Sequence, residues 1–292
     1  MTTTFPMELE IIRVSATVGF LTAASYYDLF NKKNVPVAIP YAMIAAGFLL
    51  NLLTLSQGAI ISSSAITLAV FGIGYLIYRI GQIGGADVLV FAGIALLLPE
   101  IPASILPQLA IPLFTYPFVV SVFLVSGFLA IIGLSAKYIP AVISALLKGK
   151  IKIRAQSALA SILIVGSYLV VVYVFASAGI LSPTQSALLL FLVLLAGFLT
   201  TFKEFISSTM VQWVPLKQID DEDVIALHYL DPKLVAKLKL QPVLVHSELE
   251  KLRTSKLKKF PIFKGMPPFL PYVLLSVLLL LIFGDPFKLL FI

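Results

Sequence analysis

Apolar residues gather along this chain in long blocks rather than in alternating or striped patterns. The blocks fall at about 7–27, 37–55, 59–80, 84–98, 116–136, 156–178, 184–202 and 267–284. Most approach the roughly 20 apolar residues that a helix needs to cross a bilayer. The pattern predicts about eight transmembrane helices. Between the fourth and fifth blocks, Pro99, Pro102, Pro107, Pro112 and Pro117 break any regular helix, which predicts an irregular or interfacial loop. Only segment 203–266 is polar over a domain-like length. Within it, "WVPLKQI" (213–219) predicts a short strand. "DDEDVIALHYL" (220–230) predicts a helix capped by Asp220 or Asp221. "DPKLVAKLKL" (231–240) predicts a second helix, with Asp231 as cap and Pro232 at its first position. The expected architecture is an all-α polytopic membrane protein with a small α+β cytoplasmic domain inserted before the last helix. Its expected domains are a membrane-embedded catalytic part (1–202), the small domain (203–266) and the C-terminal helix (267–292).

Composition strengthens the membrane reading. The chain is 60% hydrophobic, 12% charged, and has a mean hydropathy of +1.04. A soluble chain is typically about half apolar and about a quarter charged. The net charge of +7 does not signal a nucleic-acid partner, because the basic residues sit in the gaps between apolar blocks. If the eight helices alternate in direction, every Lys and Arg except Arg13 and Lys288 falls on one side. The positive-inside rule makes that side cytoplasmic and both termini external. The N-terminal "MTTTFPMELE" lacks a basic region and a small-residue cleavage site, so the first block is expected to be retained as a spanning helix. The chain has no cysteine, which excludes disulfides, thiolate chemistry and Cys-ligated metals. Its two histidines, His228 and His246, both lie in the polar segment, so no His-rich intramembrane metal site is expected. No cofactor is expected.

Few acids remain near the membrane, and each is expensive there. Glu8, Glu10 and the nearby Arg13 at the outer end of the first helix, with Glu100 and Asp285 in outer loops, are expected to be solvated ends. Two acids differ. Asp28, in "SYYDLFNKKNVP", closes the first helix at its expected cytoplasmic end. Asp87, in "GQIGGADVLVF", enters the fourth helix just after Gly84, Gly85 and Ala86. In the first turn Asp87 suits a helix cap as well as a functional acid. The glycines suit either a tight packing turn or close approach of a substrate backbone. Taken together, the two carboxylates suggest chemistry. If they meet, like charges at short range cannot both ionise, so the pair shares one proton around a water. The ionised acid takes a proton from that water while the protonated one polarises a peptide carbonyl. Which acid plays which part stays unassigned, because such a pair titrates as a unit.

"YYD" closing the first helix and "GGAD" opening the fourth resemble the two active-site motifs of the type IV prepilin peptidases. These are membrane aspartic proteases of the GxGD class, and the archaeal preflagellin (prearchaellin) branch is the most similar. Pro36 after the first aspartate, "VPLKQIDDEDVIA" (214–226) and "FKGMPPFLPYVLLSVLLLLIFGD" (263–285) agree with that branch. Ala86 replaces the second glycine of the strict motif, Leu89 stands where a lysine is common, and Val37 where an asparagine is usual. The missing cysteines rule out the bacterial four-cysteine zinc motif. The resemblance implies a multi-pass cell-membrane endopeptidase with Asp28 and Asp87 as catalytic residues at the cytoplasmic face. Gly84, Gly85, Ala86 and Tyr27 would be motif or substrate-binding residues. The implied partners are the lipid bilayer and precursors carrying class III signal peptides: archaellins, pilin-like proteins or substrate-binding proteins. Each bears a short basic leader. Two other readings stand beside it. One is an intramembrane protease of the presenilin or signal-peptide-peptidase kind, disfavoured because the first aspartate closes the first helix. The other is a transporter that uses the two acids for ion coupling, without the inverted repeat expected of it. The acidic run 220–223 fits a solvated cap and turn, or attraction of a basic leader. Tyr26 and Tyr27 suit interfacial anchoring.

Overall fold

A computed structural model describes residues 7–31, 35–100, 102, 116–151, 153–253, 255 and 257–284. The apolar blocks become helices: α1 (Met7–Phe30), α2 (Ala38–Thr54), α3 (Gln57–Arg79), α4 (Gly85–Leu97), α5 (Phe118–Leu147), α6 (Ala155–Ser177) and α7 (Pro183–Thr201). The polar segment follows as α8 (Lys203–Met210), β1 (Val211–Val214), α9 (Pro232–Leu238), α10 (His246–Arg253) and β2 (Phe260–Phe263). The last helix is α11 (Leu270–Phe283).

The protein is a helical membrane protein. Among the described residues, α3, α5, α6 and α7 are long and apolar enough to cross a bilayer. α2, α4 and α11 are apolar but shorter. α1 is long enough, yet it carries Glu8, Glu10, Arg13 and Asp28 and does not join them. α5 runs farther than its apolar block predicts and takes in Lys137 and Pro140. The helix gives up one backbone bond at Pro140 and continues. The proline-rich stretch after α4 lies mostly outside the described residues, as does Asp285.

The chain forms two compact units. One gathers α1, α5, α6, α7 and α11. Within it α1 packs on α11, α11 on α5, and α7 on both α5 and α6. Ser161 of α6 donates to the Gly197 carbonyl of α7 at 2.8 Å. A β-carbon at Gly197 would stand 2.5 Å from Val165, so only glycine permits that approach. A Ser182–Gln185 capping box starts α7. α6 exposes Ile162, Leu163, Val170 and Tyr173, as a helix facing lipid does. Arg13 corrects an expectation: it is 1% exposed rather than solvated, and it interacts electrostatically with Glu100.

The other unit holds α2, α3 and α4 with residues 207–268. α4 is flanked by α2 and α3, and it buries Val88 and everything from Val90 to Leu97. Glycines make the fit close. A β-carbon at Gly47 would meet Leu96 at 2.7 Å, and one at Gly93 would meet Met43 at 2.8 Å. Asn51 of α2 donates to Ser63 of α3 at 3.1 Å, which satisfies two buried polar groups.

In the polar segment β1 and β2 pair antiparallel, from Val211 opposite Phe263 to Val214 opposite Phe260. Ile225, Leu244, Leu252, Phe260 and Ile262 form its core. α9 begins as its sequence predicts: Pro232 leads, and Asp231 Oδ1 accepts the Lys233 N–H at 2.9 Å. The expected strand ends earlier, because Pro215 closes it and a 3-10 turn follows at Leu216–Gln218. The helix expected at 220–230 is absent. Residues 220–223 turn, Val224 and Ile225 make single bridges, and a 3-10 turn covers Leu227–Tyr229. The Ile225 N–H goes to the Pro242 carbonyl and the Ala226 N–H to that of Pro261, both at 2.8 Å. Those long-range bonds, with β-branched side chains driven into the core, outweigh the local capping signal.

Lys264 anchors the turn through Asp223 Oδ2 at 2.6 Å and Asp220 Oδ2 at 3.3 Å. Burial acts to lower its pKa, but the hydrogen bonds and charges of Asp223 and Asp220 outweigh burial, and the net shift is upward. A native pKa above the unfolded value of about 10.4 gives stability that is complete below that value and disappears as pH rises through the native one. Lys264→Met is therefore expected to lower Tm by about 2–4 °C near neutral pH, with the gap to wild type closing at strongly alkaline pH. Thermal melts across pH by circular dichroism check this; a gap independent of pH would refute it.

Candidate functional site

α1 is helical to Phe30, so Asp28 stands in its last turn, where the chain offers it no N–H groups of its own. Those come from α11. Phe269 and Leu270, the cap and first residue of α11, both donate to Asp28 Oδ2, at 2.8 and 2.9 Å. The first N–H groups of a helix have no partner inside it, and its positive end favours an anion. Pro267 and Pro268 set the extended lead-in, and Pro271 follows in the first turn. Asp28 is 7% exposed and Leu270 is fully buried. The sequence does carry a signal for this contact in "MPPFLPY", though not for which acid it meets. Tyr27 is half-buried and packs edge-to-face on the exposed Tyr26, with centroids 5.7 Å apart.

Asp87 is held by its own helix. It occupies the third position of α4, and its Oδ2 accepts the Gly84 N–H at 3.0 Å. This is the reciprocal half of a capping box, a side chain reaching back to the residue before the helix. Gly84 could not carry a side chain without crowding this carboxylate: its β-carbon would lie 3.0 Å from Asp87 Oδ2. Gly85 faces the polar segment instead. A β-carbon there would meet Glu222 Oε2 at 3.2 Å and Tyr78 at 3.4 Å. Upstream in the turn, Gly81 has φ +74, and Val224 and Pro242 close over it. Ala86 and Asp87 are both half-buried. The pattern of the sequence places Asp87, Gly84 and Gly85 in one turn; Glu222 could not be inferred as their neighbour.

Asp28 and Asp87 thus belong to different compact units, each fixed through Oδ2 by backbone N–H groups. Among the described residues no cluster of three or more His, Asp or Glu side chains is arranged to hold a metal. His228 packs on Tyr229 and Phe263 as part of the polar segment's fold.

Residues 15–135 match the model of the type IV leader peptidase family. The matched stretch contains both aspartate motifs and agrees with the resemblance those motifs carry. No curated protein and no solved structure matches the chain. The matched family is one of type IV leader peptidases.

The α11 contact separates two kinds of substitution at Asp28. Asp28→Asn keeps a carbonyl oxygen for the two N–H groups and loses only their charge-assisted strength, at about 1 kcal/mol. Asp28→Leu strands both buried donors and is expected to cost about 2–3 kcal/mol more. Denaturation midpoints of the purified variants check this ordering, and equal losses would contradict it.

Proposed function

We propose that this chain, whose residues 15–135 match the type IV leader peptidase family, is a membrane aspartic endopeptidase. Asp28 and Asp87 are its catalytic pair. One observation carries the reading: the matched segment contains two helix-terminal aspartates, each with one oxygen fixed by backbone N–H groups. Fixing one oxygen orients a carboxylate, as preorganised catalysis requires.

The reaction needs both acids at one water. The ionised carboxylate takes a proton from the water, and the resulting oxygen attacks the scissile carbonyl carbon. The protonated carboxyl donates its proton to the carbonyl oxygen, giving a neutral gem-diol. On collapse one gem-diol hydroxyl gives its proton to the carboxylate that had donated, and the C–N bond breaks. The leaving nitrogen takes up the proton from the acid that gained one, so the pair returns to its starting state. No covalent enzyme intermediate forms. The substrates are precursors of archaellins or pilin-like proteins, each with a short basic leader before an apolar helix. Cleavage takes place at the cytoplasmic face of a multi-pass protein of eight spans with both termini outside. Residues 203–266 form its cytoplasmic domain.

Asp28→Asn and Asp87→Asn are each expected to lower cleavage of a co-expressed precursor by at least about 10²-fold, while the variants still purify as folded protein. N-terminal sequencing of the product reads the cut. Near-normal cleavage by either variant removes the pair from the mechanism. The chain has no native cysteine, so Asp28→Cys combined with Asp87→Cys offers a clean proximity test. A short bifunctional thiol reagent is expected to bridge the two positions in membranes supplied with precursor. Failure to bridge with any short linker would argue that the acids do not meet.

A further inference from the structure

A serine or threonine inside a helix ordinarily turns its hydroxyl back to a carbonyl three or four residues earlier. α1 follows that rule at Thr17, which donates to the Arg13 carbonyl at 2.8 Å, and at Thr22, which donates to that of Val18 at 2.7 Å. α11 follows it at Ser276, which donates to the Val273 carbonyl at 2.7 Å. Ser25 does not. It lies in α1 one turn ahead of Asp28, is 4% exposed, and its Oγ has no hydrogen-bond partner among the described residues. Ser135 and Ser186 share that state, but neither stands within a helical turn of Asp28 or Asp87 along the chain. Leu21 and Ala24, which share the buried face of α1 with Ser25, are apolar and at most 1% exposed. A buried hydroxyl without a partner is costly, so its presence calls for a reason.

We propose that Ser25 is a positioning residue of the proteolytic site, whose hydroxyl donates to Asp28 Oδ1 in the catalytic state. The proposal rests on the peptidase reading above. Residues three apart on a helix are neighbours, with β-carbons about 5–6 Å apart. A helical side chain also leans back towards the N-terminus, which carries the Asp28 carboxylate over the turn that holds Ser25. A hydroxyl and a carboxylate oxygen can close that gap to hydrogen-bond distance. The N–H groups of Phe269 and Leu270 both bind Oδ2. One anchored oxygen still lets the carboxylate swing about its anchor. A donor at Oδ1 fixes the plane of the group, and with it the direction in which the carboxylate meets the water. A carboxylate oxygen offers two lone pairs, so a donor from Ser25 does not exclude that water. The described conformation carries the cost of an unmet hydroxyl, and the catalytic one relieves it, which favours the catalytic arrangement.

The experiment uses the full chain in membranes and a precursor with a short basic leader before an apolar helix, its cut fixed by N-terminal sequencing. Alanine keeps the small size of position 25 and deletes only the hydroxyl. Ser25→Ala is expected to lower kcat by about tenfold with KM unchanged. Its Tm is expected to equal or exceed that of the wild type, because an unmet polar group leaves a buried helix face and alanine is the better helix former. Slower cutting by a protein at least as stable separates positioning from a structural role. A serine kept only for close helix packing predicts wild-type kcat in Ser25→Ala, and that result overturns the proposal. So does a Tm that falls together with kcat. Ser25→Thr keeps the hydroxyl and is expected to recover most of the lost rate. A Ser25→Thr protein that melts like the wild type yet cuts as slowly as Ser25→Ala also overturns the proposal. Each of these reversals leaves the peptidase reading intact. A wild type that cuts no such precursor overturns that reading and this proposal with it.

Discussion

A helix begins with N–H groups that nothing inside it can satisfy, and in this protein both aspartates of interest answer that need. Asp28 ends one helix and serves the start of another that lies some 240 residues later. Asp87 serves the start of its own helix. The consequence is the same for both. One oxygen is committed to the backbone, so the carboxylate has a fixed orientation. If α11 were displaced, Asp28 would lose its donors, and Phe269 and Leu270 would have two polar groups to satisfy elsewhere. The last helix is therefore part of the site's support.

The support around Asp87 is of a different kind. α4 has 13 residues, or about 20 Å of helix, less than the roughly 30 Å of a hydrocarbon core. Its apolar surface is covered by α2 and α3 rather than left to lipid. Gly47 and Gly93 let neighbouring helices close on it. A helix enclosed in this way is a rigid mount, and the acid projects from its first turn. The turn in front of it is packed by residues from the polar segment, Val224 and Pro242 over Gly81 and Glu222 beside Gly85. The polar segment thus shapes the ground next to Asp87, a part that its composition does not suggest.

Arg13 and the acidic run read alike by sequence, both as solvated, since a charged residue near a helix end or in a polar segment usually is. Arg13 is instead buried in α1 near Glu100. A partner from a distant part of the chain helps make such burial tolerable. The acidic run is an exposed turn for most of its length, with Asp220 and Asp223 joined to a lysine about 40 positions away.

The sequence by itself determined the membrane class, the apolar helices, the cap of α9, and the neighbourhood of Gly84, Gly85 and Asp87. Each of these depends on residues close together along the chain, where length, periodicity and capping chemistry act directly. It did not determine the true ends of α5, the absence of a helix at 220–230, the donors that hold Asp28, or the approach of Glu222 to Gly85. Those were decided by tertiary structure. Long-range backbone bonds and core burial overrode a local capping signal at 220–226, and the partner of Asp28 comes from the far end of the chain. Local energies of a few tenths to about one kcal/mol fix a turn or a cap, while contacts between distant segments exist only once the fold has brought them together.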